Sequence, residues 1–255
     1  MSGPEKQGLS QDLSHVLDAD PDLGAGLDGD SFEAARQQAV ARLMAIEPGP
    51  GDLPAGDVGA GGYALVLEGV LAREVSAGER TSAELLGPGD VLRPWGQDDS
   101  LLLPTEVSWE VLSPARLALL DQPFVERIRD WPEIADALLR RSIQRAQALA
   151  VQRAIAAHKR LDHRIIMLLW HLAERWGHVG PDASVRIHLP LTHRLLGLVV
   201  GAERPSVSTA LGRLATAGLL TRDGDDWTLH GAMDDQLSIV GEGAVPNGGS
   251  PNWSG

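Results

Sequence analysis

The strongest constraint on the fold is a pair of short amphipathic helical patterns between Leu189 and Gly231. The apolar positions that two crossed helices must turn toward each other are Leu196, Val200, Ala202, Val207, Ala210, Leu211 and Leu214. Gly201 suits the end of the first helix, because glycine adopts the left-handed conformation without a Cβ penalty. Thr192 can cap the start of the first helix, and Pro205 fits the first turn of the second. The pattern predicts a helix-turn-helix, with the small Gly197 where the two backbones come closest.

Hydrogen-bonding side chains lie near the N-terminus of the second helix, on its predicted solvent face. They are Arg204, Ser206, Ser208 and Thr209. In a helix-turn-helix, this end of the second helix enters the major groove of DNA, where such side chains contact base edges. These four residues are therefore the predicted base contacts.

A short hairpin pattern follows the second helix. Residues 217–220 read Ala-Gly-Leu-Leu and close the helix, and residues 223–226 read Asp-Gly-Asp-Asp between two strand-like pieces. The two helical patterns alone leave open the alternative of ordinary core helices. The added hairpin favours a winged helix.

The distribution of charge is compatible with DNA binding, although the 255-residue chain has a net charge of -13. Residues 1–123 contain 7 Lys and Arg against 21 Asp and Glu, whereas residues 124–230 contain 15 against 11. Neutralisation of phosphates supplies much of the affinity of a DNA-binding protein. The acidic residues are concentrated away from the predicted reading helix, although Glu203 lies beside it.

Composition and periodicity divide the chain into five parts and predict an α+β protein. The predicted parts are a disordered acidic arm (1–30), a sensor-like β-roll resembling a cyclic-nucleotide-binding domain (31–122), a long dimerisation helix (123–161), a winged helix-turn-helix domain (162–233) and a flexible tail (234–255). A helical segment from Ser31 to Ile46 is expected to open the roll, and Asp162 is expected to cap the first helix of the last domain.

Small and apolar residues recur along the long helix at steps of three and four. The stripe consists of Leu139, Ile143, Ala146, Ala150, Ala154 and Ala157. This spacing is close to a coiled-coil seam and predicts a homodimer, since small residues let two helices approach closely. The alternative is a helix packed on its own β domain.

The order of the parts resembles the Crp/Fnr family of bacterial transcription regulators. The resemblance is carried by residues 191–197, 201–208 and 217–220, and more weakly by the turns at 67–71 and 87–91. It implies that Arg204 reads a guanine and that Thr192 and His193 meet phosphates. Arg213 completes the set of candidate DNA contacts.

Two positions depart from the family pattern. Thr209 stands where many members carry a second base-reading arginine, and Pro205 stands where many carry glutamate. The target sequence is therefore expected to differ from the best-known consensus of the family.

The β domain departs further, in the segment that would bind an effector. A cyclic-nucleotide-binding member should show Gly-Glu and then Arg-Ser/Thr-Ala, which hold the cyclic phosphate. Residues 92–100 instead contain a proline and two aspartates. Arg93 and Trp95 are the remaining effector candidates, against the alternatives of a salt-bridge partner and a core residue. No cyclic nucleotide is predicted.

The sequence predicts no other cofactor. Cysteine is absent, which excludes thiolate metal sites and a cysteine-bound iron–sulfur cluster. None of the eight histidines lies between His15 and His158, so the β domain lacks the commonest axial ligand of haem. The remaining histidines have no spacing typical of a zinc site.

Together these features predict a homodimeric, sequence-specific transcription regulator whose effector is unknown or lost. Its expected partners are a palindromic DNA operator, a second copy of itself, and RNA polymerase or another regulator protein. No apolar run approaches 18 residues, so no membrane span is expected and the cytoplasm is the predicted location. The alternative is an acidic protein-interaction or architectural module with weak, non-specific DNA contact. No arrangement of residues predicts an enzyme.

Overall fold

The computed structural model describes residues 13–51, 62–93 and 103–241, and the chain forms two compact units. The first unit comprises the described residues up to Arg80 together with Glu84–Gln147. The second comprises Thr81–Ala83 and the described residues from Ala148 onward. Among the described residues, no helix is long and apolar enough to cross a membrane.

Two antiparallel sheets form the β domain of the first unit. The strands are β1 (Leu13–His15), β2 (Val40–Ile46), β3 (Gly49–Gly51), β4 (Tyr63–Glu68), β5 (Leu71–Ala77), β6 (Arg80–Leu86), β7 (Val91–Leu92), β8 (Thr105–Val111) and β9 (Ala115–Leu120). One sheet has the order β1-β2-β9-β4-β7, and the other has the order β3-β8-β5-β6. The long β5–β8 pairing runs from Leu71 opposite Val111 to Ala77 opposite Thr105.

The apolar residues of the first unit form two cores. One lies between the two sheets and contains residues such as Val66, Leu71, Leu86, Trp109 and Leu117. The other lies where the five-stranded sheet meets the helices, and its members include Val16, Leu23, Phe124, Ile134 and Ala137. Alternation along the strands explains this arrangement, because successive side chains point to opposite faces of a sheet.

The N-terminal segment differs from its predicted structure. The described part of the predicted arm, residues 13–30, is folded into β1, α1 (Val16–Ala19), a short 3-10 helix (Pro21–Gly24) and the start of α2 (Gly29–Gln38). Val16, Leu17 and Leu23 are buried, and burial of their apolar side chains stabilises this segment. The polar composition of the segment as a whole does not reveal these three residues. The helical segment predicted as far as Ile46 ends at Gln38, and β2 follows because its residues pair with β9.

Two helices follow the roll. Asp121 caps α3 (Gln122–Arg127) by accepting a hydrogen bond from the backbone N–H of Phe124. The 25-residue helix α4 (Pro132–Ala156) begins in the first unit and ends in the second. Ile134 and Ala137 are buried in the first unit, whereas all six residues of the predicted dimer stripe are exposed.

After the end of α4, the described residues of the second unit form four helices and one four-stranded sheet. They are α5 (Leu161–Trp176), β10 (Gly177–Val179), β11 (Val185–His188), α6 (His193–Val200), α7 (Arg204–Thr216), β12 (Leu220–Asp223), β13 (Asp226–Leu229) and α8 (Met233–Gly241). The sheet has the order β10-β11-β13-β12, so the predicted wing hairpin is its edge pair.

Part of the predicted tail is also folded. Residues as far as Gly241 form α8, which packs against α5. Gln236 of α8 is buried and accepts a hydrogen bond from Trp170 Nε1 at 2.9 Å. Its Nε2 donates to the carbonyls of Leu219 and His230 at 2.8 and 2.6 Å. Trp170 is 66 residues and Leu219 is 17 residues from Gln236, so a composition-based prediction of a flexible tail could not include these contacts.

Candidate nucleic-acid interface

The turn between α6 and α7 has the local structure that the sequence predicts. Thr192 caps α6, with its hydroxyl accepting a hydrogen bond from the N–H of Leu195 at 3.1 Å. Gly201 ends α6 in the left-handed conformation, with φ of 69°. A Cβ on Gly197 would lie 2.5 Å from the carbonyl oxygen of Ala202, so only glycine permits this close approach. The two helices are therefore held at a short, well-defined turn.

The N-terminal end of α7 is open to solvent. Arg204, Pro205 and Ser206 are exposed, whereas the inner face of the helix is buried against the domain. Glu203 occupies the N-cap position but makes no side-chain cap hydrogen bond. Arg204 thus presents its guanidinium group at the end of the helix that a helix-turn-helix inserts into DNA.

Two hydroxyl groups follow on the same helix. Ser208 Oγ lies 3.1 Å from the carbonyl oxygen of Arg204 and 2.8 Å from Nδ1 of His193 at the start of α6. Thr209 Oγ1 donates to the carbonyl oxygen of Pro205 at 3.1 Å. The structure therefore joins one predicted phosphate contact, His193, to one predicted base contact, Ser208.

Positive charge surrounds His193. Burial lowers the pKa of His193, and the neighbouring Arg222 and Arg204 guanidinium groups lower it further. Arg222 lies 4.7 Å over the ring of Trp227 and donates to the carbonyl of Gly224 at 2.9 Å. The sequence analysis did not single out Arg222. The sequence feature that could have identified Arg222 is its position as a basic residue flanking the predicted hairpin.

The wing itself is acidic. Asp223 and Asp225 are exposed on either side of Gly224, which turns with φ of 57°. The Asp226 carboxylate accepts a hydrogen bond from His188 Nδ1 at 2.9 Å. The positive charge near the start of α6 comes from Arg222 of β12 and Arg204 of α7, whereas the carboxylates at the wing tip repel phosphate.

Arg213, another candidate DNA contact, has an ion-pair partner within its own domain. Its Nη2 donates to Asp162 Oδ1 at 2.6 Å, and Asp162 is buried. Asp162 therefore does not cap α5 as expected. Arg160 occupies the N-cap position and makes no side-chain cap hydrogen bond. This contact holds the guanidinium group of Arg213, a residue of α7, against α5.

A second arginine that the sequence analysis missed holds the turn of the motif. Arg164 of α5 donates to the carbonyls of Val200 and Gly201 at 3.2 and 3.3 Å, and to that of His158 at 2.5 Å. These carbonyls lie at the end of α6 and in the segment before α5, which are distant in sequence. No local pattern could have revealed the contact.

The interior of the β domain contains a charged cluster, Arg73, Glu84 and Arg145, that we call the roll triad. Arg145 of α4 donates to both carboxylate oxygens of Glu84, at 2.7 and 3.2 Å, and to the carbonyl of Val91 at 3.0 Å. Arg73 of β5 also pairs with Glu84 and lies 5.7 Å over the ring of Trp109. The exposed fractions of the three side chains are only 14%, 7% and 17%.

The roll triad carries one negative and two positive groups. Burial lowers the pKa of Arg73, an effect that Glu84 opposes and Arg145 reinforces. Of the predicted effector candidates, Arg93 is exposed at the end of β7, and Trp95 lies outside the described residues. None of the three members of the triad was predicted from the sequence, because they lie on three different elements, β5, β6 and α4.

A metal site is not evident in the part of the chain that the structure describes. No group of three or more His, Asp or Glu side chains there could hold a metal ion.

The helix-turn-helix region is similar to a known protein family, and the chain is similar to several solved structures. Residues 163–230 match the family described as the Crp-like helix-turn-helix domain. No curated protein matches the chain. Similar solved structures include a CooA mutant from Carboxydothermus hydrogenoformans, which is 14% identical, with a TM-score of 0.63 over 92% of this chain and 98% of that one.

Two further structures support the same fold. A cyclic nucleotide-binding domain containing protein from Listeria monocytogenes is 19% identical, with a TM-score of 0.63 over 85% of this chain and 98% of that one. The c-di-GMP responsive regulator CLP from Xanthomonas campestris is 21% identical, with a TM-score of 0.57 over 80% of this chain and all of that one. Residues 163–230 are therefore similar to the Crp-like helix-turn-helix domain family, and the chain shares its fold with these solved structures.

Proposed function

We propose that the protein is a homodimeric, sequence-specific DNA-binding transcription regulator without enzymatic activity. The observation that carries the proposal is a Crp-like helix-turn-helix in which Arg204 is exposed at the N-terminal end of α7. An arginine at this position can donate two hydrogen bonds to O6 and N7 of guanine in the major groove. Ser206, Ser208 and Thr209 lie beside it as further base contacts.

Contacts with the phosphate backbone complete the proposed interface. Thr192 and His193 lie at the start of α6, and we assign them to phosphates. The arginines around His193 support this assignment, because their charge attracts a phosphate. The wing-tip carboxylates of Asp223 and Asp225 are expected to contribute little affinity.

The exposed stripe that runs along α4 and ends at Ala157, one residue beyond it, is the proposed dimer seam. Leu139 and Ile143 are 59% and 50% exposed, and the four alanines of the stripe are also exposed. Burial of such a stripe against a second copy would remove apolar surface from water, at about 25 cal/mol per Å². A symmetric dimer carries two copies of α7 and therefore matches a palindromic operator.

We further propose that cAMP and cGMP do not control this regulator. The roll triad supports this part of the proposal, because the Glu84 carboxylate already occupies the guanidinium groups of Arg73 and Arg145. A phosphate bound by these two arginines would have to displace that internal carboxylate. The sequence of residues 92–100 also lacks the Gly-Glu and Arg-Ser/Thr-Ala that hold a cyclic phosphate. We also propose that the protein acts in the cytoplasm. There it binds chromosomal DNA and contacts RNA polymerase or another regulator protein.

Selection of genomic DNA fragments by the purified protein tests the proposal. The selected fragments should share a palindrome, and the protein should prefer it over random duplex by at least about 1,000-fold. A salt titration of both duplexes then separates specific readout from phosphate attraction, which weakens steeply with salt.

The alternative of an acidic interaction module is not favoured, because the match to a Crp-like helix-turn-helix domain covers residues 163–230. Equal, salt-sensitive binding to selected and random duplexes would support that alternative and contradict the proposed function.

A further inference from the structure

The hydroxyl groups of α7 carry information about which bases they can contact. Ser208 Oγ lies within hydrogen-bond distance of the carbonyl oxygen of Arg204, at 3.1 Å, and of His193 Nδ1, at 2.8 Å. A serine hydroxyl has one proton to donate and two lone pairs that accept. The direction of these two bonds therefore determines what Ser208 can offer to a ligand.

The proton of Ser208 is used inside the protein in either arrangement. A carbonyl oxygen can only accept, so a bond to Arg204 requires Ser208 to donate, and His193 Nδ1–H then donates to Ser208 Oγ. In the other arrangement, Ser208 donates its proton to Nδ1 of the neutral imidazole. Both arrangements leave Ser208 with lone pairs alone for an outside group.

Thr209 provides a comparison on the same helix. Its hydroxyl donates to the carbonyl of Pro205 at 3.1 Å, which is a bond within one helix. Ser208 has a similar bond within α7 and, in addition, the contact with His193 from α6. Ser208 is therefore held by groups of two helices, and its hydroxyl is the more firmly oriented of the two.

We propose that Ser208, oriented by His193, is a specificity-determining residue that selects a base carrying an exocyclic amino group. This inference rests on the proposed function, since it requires α7 to lie in the major groove. Adenine N6 and cytosine N4 are the amino donors that the major groove displays. The keto oxygens of guanine and thymine would meet only lone pairs at Ser208. Arg204 has the opposite character, because a guanidinium group only donates.

His193 is a positioning residue in this scheme. Without its imidazole, the Ser208 hydroxyl keeps only the bond to Arg204, as Thr209 keeps only its bond to Pro205. It can then rotate and donate to a keto oxygen. Removal of His193 should therefore relax the choice of base that depends on Ser208, in addition to any general loss of affinity.

The experiment begins with an operator selected by the wild-type protein. At each adenine or cytosine of the half-site, the amino group alone is removed by substituting purine or 2-pyrimidinone, and binding is measured by fluorescence anisotropy. One position should lose about tenfold in affinity with the wild type, as expected for a good base contact. Ser208→Ala should show less than a twofold loss at that position, whereas Ser208→Thr, which keeps a hydroxyl, should restore it.

His193 variants separate positioning from folding. His193→Ala should reduce the loss at the same position to about threefold, while His193→Asn, which keeps a donor close to Nδ1, should return it toward tenfold. Thr216→Ala is the matched control, because the Thr216 hydroxyl donates to the carbonyl of Gly212 within the same helix at 2.9 Å; it should leave the loss at this position unchanged. Circular dichroism confirms that each variant is folded.

Each outcome decides the inference. It is overturned if every amino deletion changes wild-type binding less than twofold, if Ser208→Ala keeps the tenfold loss, or if the Ser208-dependent position selects guanine or thymine. Failure to select any operator would overturn the proposed function and this inference together. A preferred operator with no Ser208-dependent amino group would overturn this inference alone.

Discussion

The two units of the chain place their charged groups in opposite ways. In the first unit, the roll triad lies inside the domain, where Arg73, Glu84 and Arg145 are all at least four-fifths buried. In the second unit, the interior of the helix-turn-helix is apolar, and Arg204 is exposed at its edge. The difference indicates that charge is structural in the roll triad and is available for recognition at the start of α7.

The largest expected effect concerns the roll triad. Glu84→Ala should lower the free energy of unfolding by about 3–5 kcal/mol, because it leaves two buried guanidinium groups without their shared carboxylate. Urea denaturation followed by circular dichroism measures this change.

A triple variant serves as the matched control for Glu84→Ala. Replacing Arg73 and Arg145 with Met and Glu84 with Leu removes all the charges at similar volume, so most of the lost stability should return. A loss below about 1 kcal/mol in Glu84→Ala would contradict an architectural role for the triad.

The next effect tests the helix that runs from one unit into the other. Ile143→Asp with Ala150→Asp would bury charge in the proposed seam and should raise the dimer dissociation constant at least about 100-fold. Sedimentation velocity should then show monomers. Gln144→Asp adds a charge on an exposed face beside the stripe and should leave the dimer intact. An unchanged dimer in the double variant would place the interface elsewhere.

Recognition by the second unit depends on Arg204. Arg204→Ala should reduce the preference for operator over random DNA by roughly 5- to 150-fold, which corresponds to about 1–3 kcal/mol for a bidentate base contact. Arg140→Ala removes an equal charge from an exposed position on α4 and should leave the preference unchanged. Anisotropy titrations on both duplexes provide the measurement. If Arg204→Ala keeps the wild-type preference, the proposed base contact is wrong.

Arg213 tests whether the division between architecture and recognition holds within one helix. Asp162→Ala should lower the free energy of unfolding by about 1–2 kcal/mol by removing a charged hydrogen bond. If the ion pair is the whole role of Arg213, Arg213→Ala will lower stability similarly and change operator preference less than twofold. A larger loss of preference in Arg213→Ala than in Asp162→Ala would retain Arg213 as a DNA contact.

The smallest expected effect is that of cyclic nucleotides on operator binding. Addition of cAMP or cGMP should change the operator dissociation constant less than twofold, because Glu84 already pairs with Arg73 and Arg145. Calorimetry and anisotropy provide the measurements. Micromolar binding with tenfold tightening, about 1.4 kcal/mol of coupling, would show that the first unit senses a ligand.

Local rules explain why the helix-turn-helix was predictable to individual residues. Thr192 caps α6, Gly201 ends it with a positive φ, and α7 begins at Arg204 with Pro205 in its first turn. Each of these features depends on a residue's own conformational preferences and its nearest neighbours.

Predictions based on composition were weaker where distant partners decide the structure. Residues 13–30 look like an acidic arm, but Val16, Leu17 and Leu23 pack into a core with Phe124 and Ile134. Asp162 looks like a helix cap, but it pairs with Arg213, 51 residues away. In each case the stabilising contact comes from a residue that no local pattern connects to it.

The sequence by itself determined the helix-turn-helix, its wing, the exposed Arg204 and the general order of β domain, long helix and C-terminal domain. Caps, glycine conformations and hydrophobic periodicity act over a few residues and can be recognised without a partner. Only the tertiary structure assembled the roll triad and joined His193 to Ser208. Ion pairs and side-chain hydrogen bonds depend on distances in space, and strand pairing and helix packing set those distances between residues far apart in the chain.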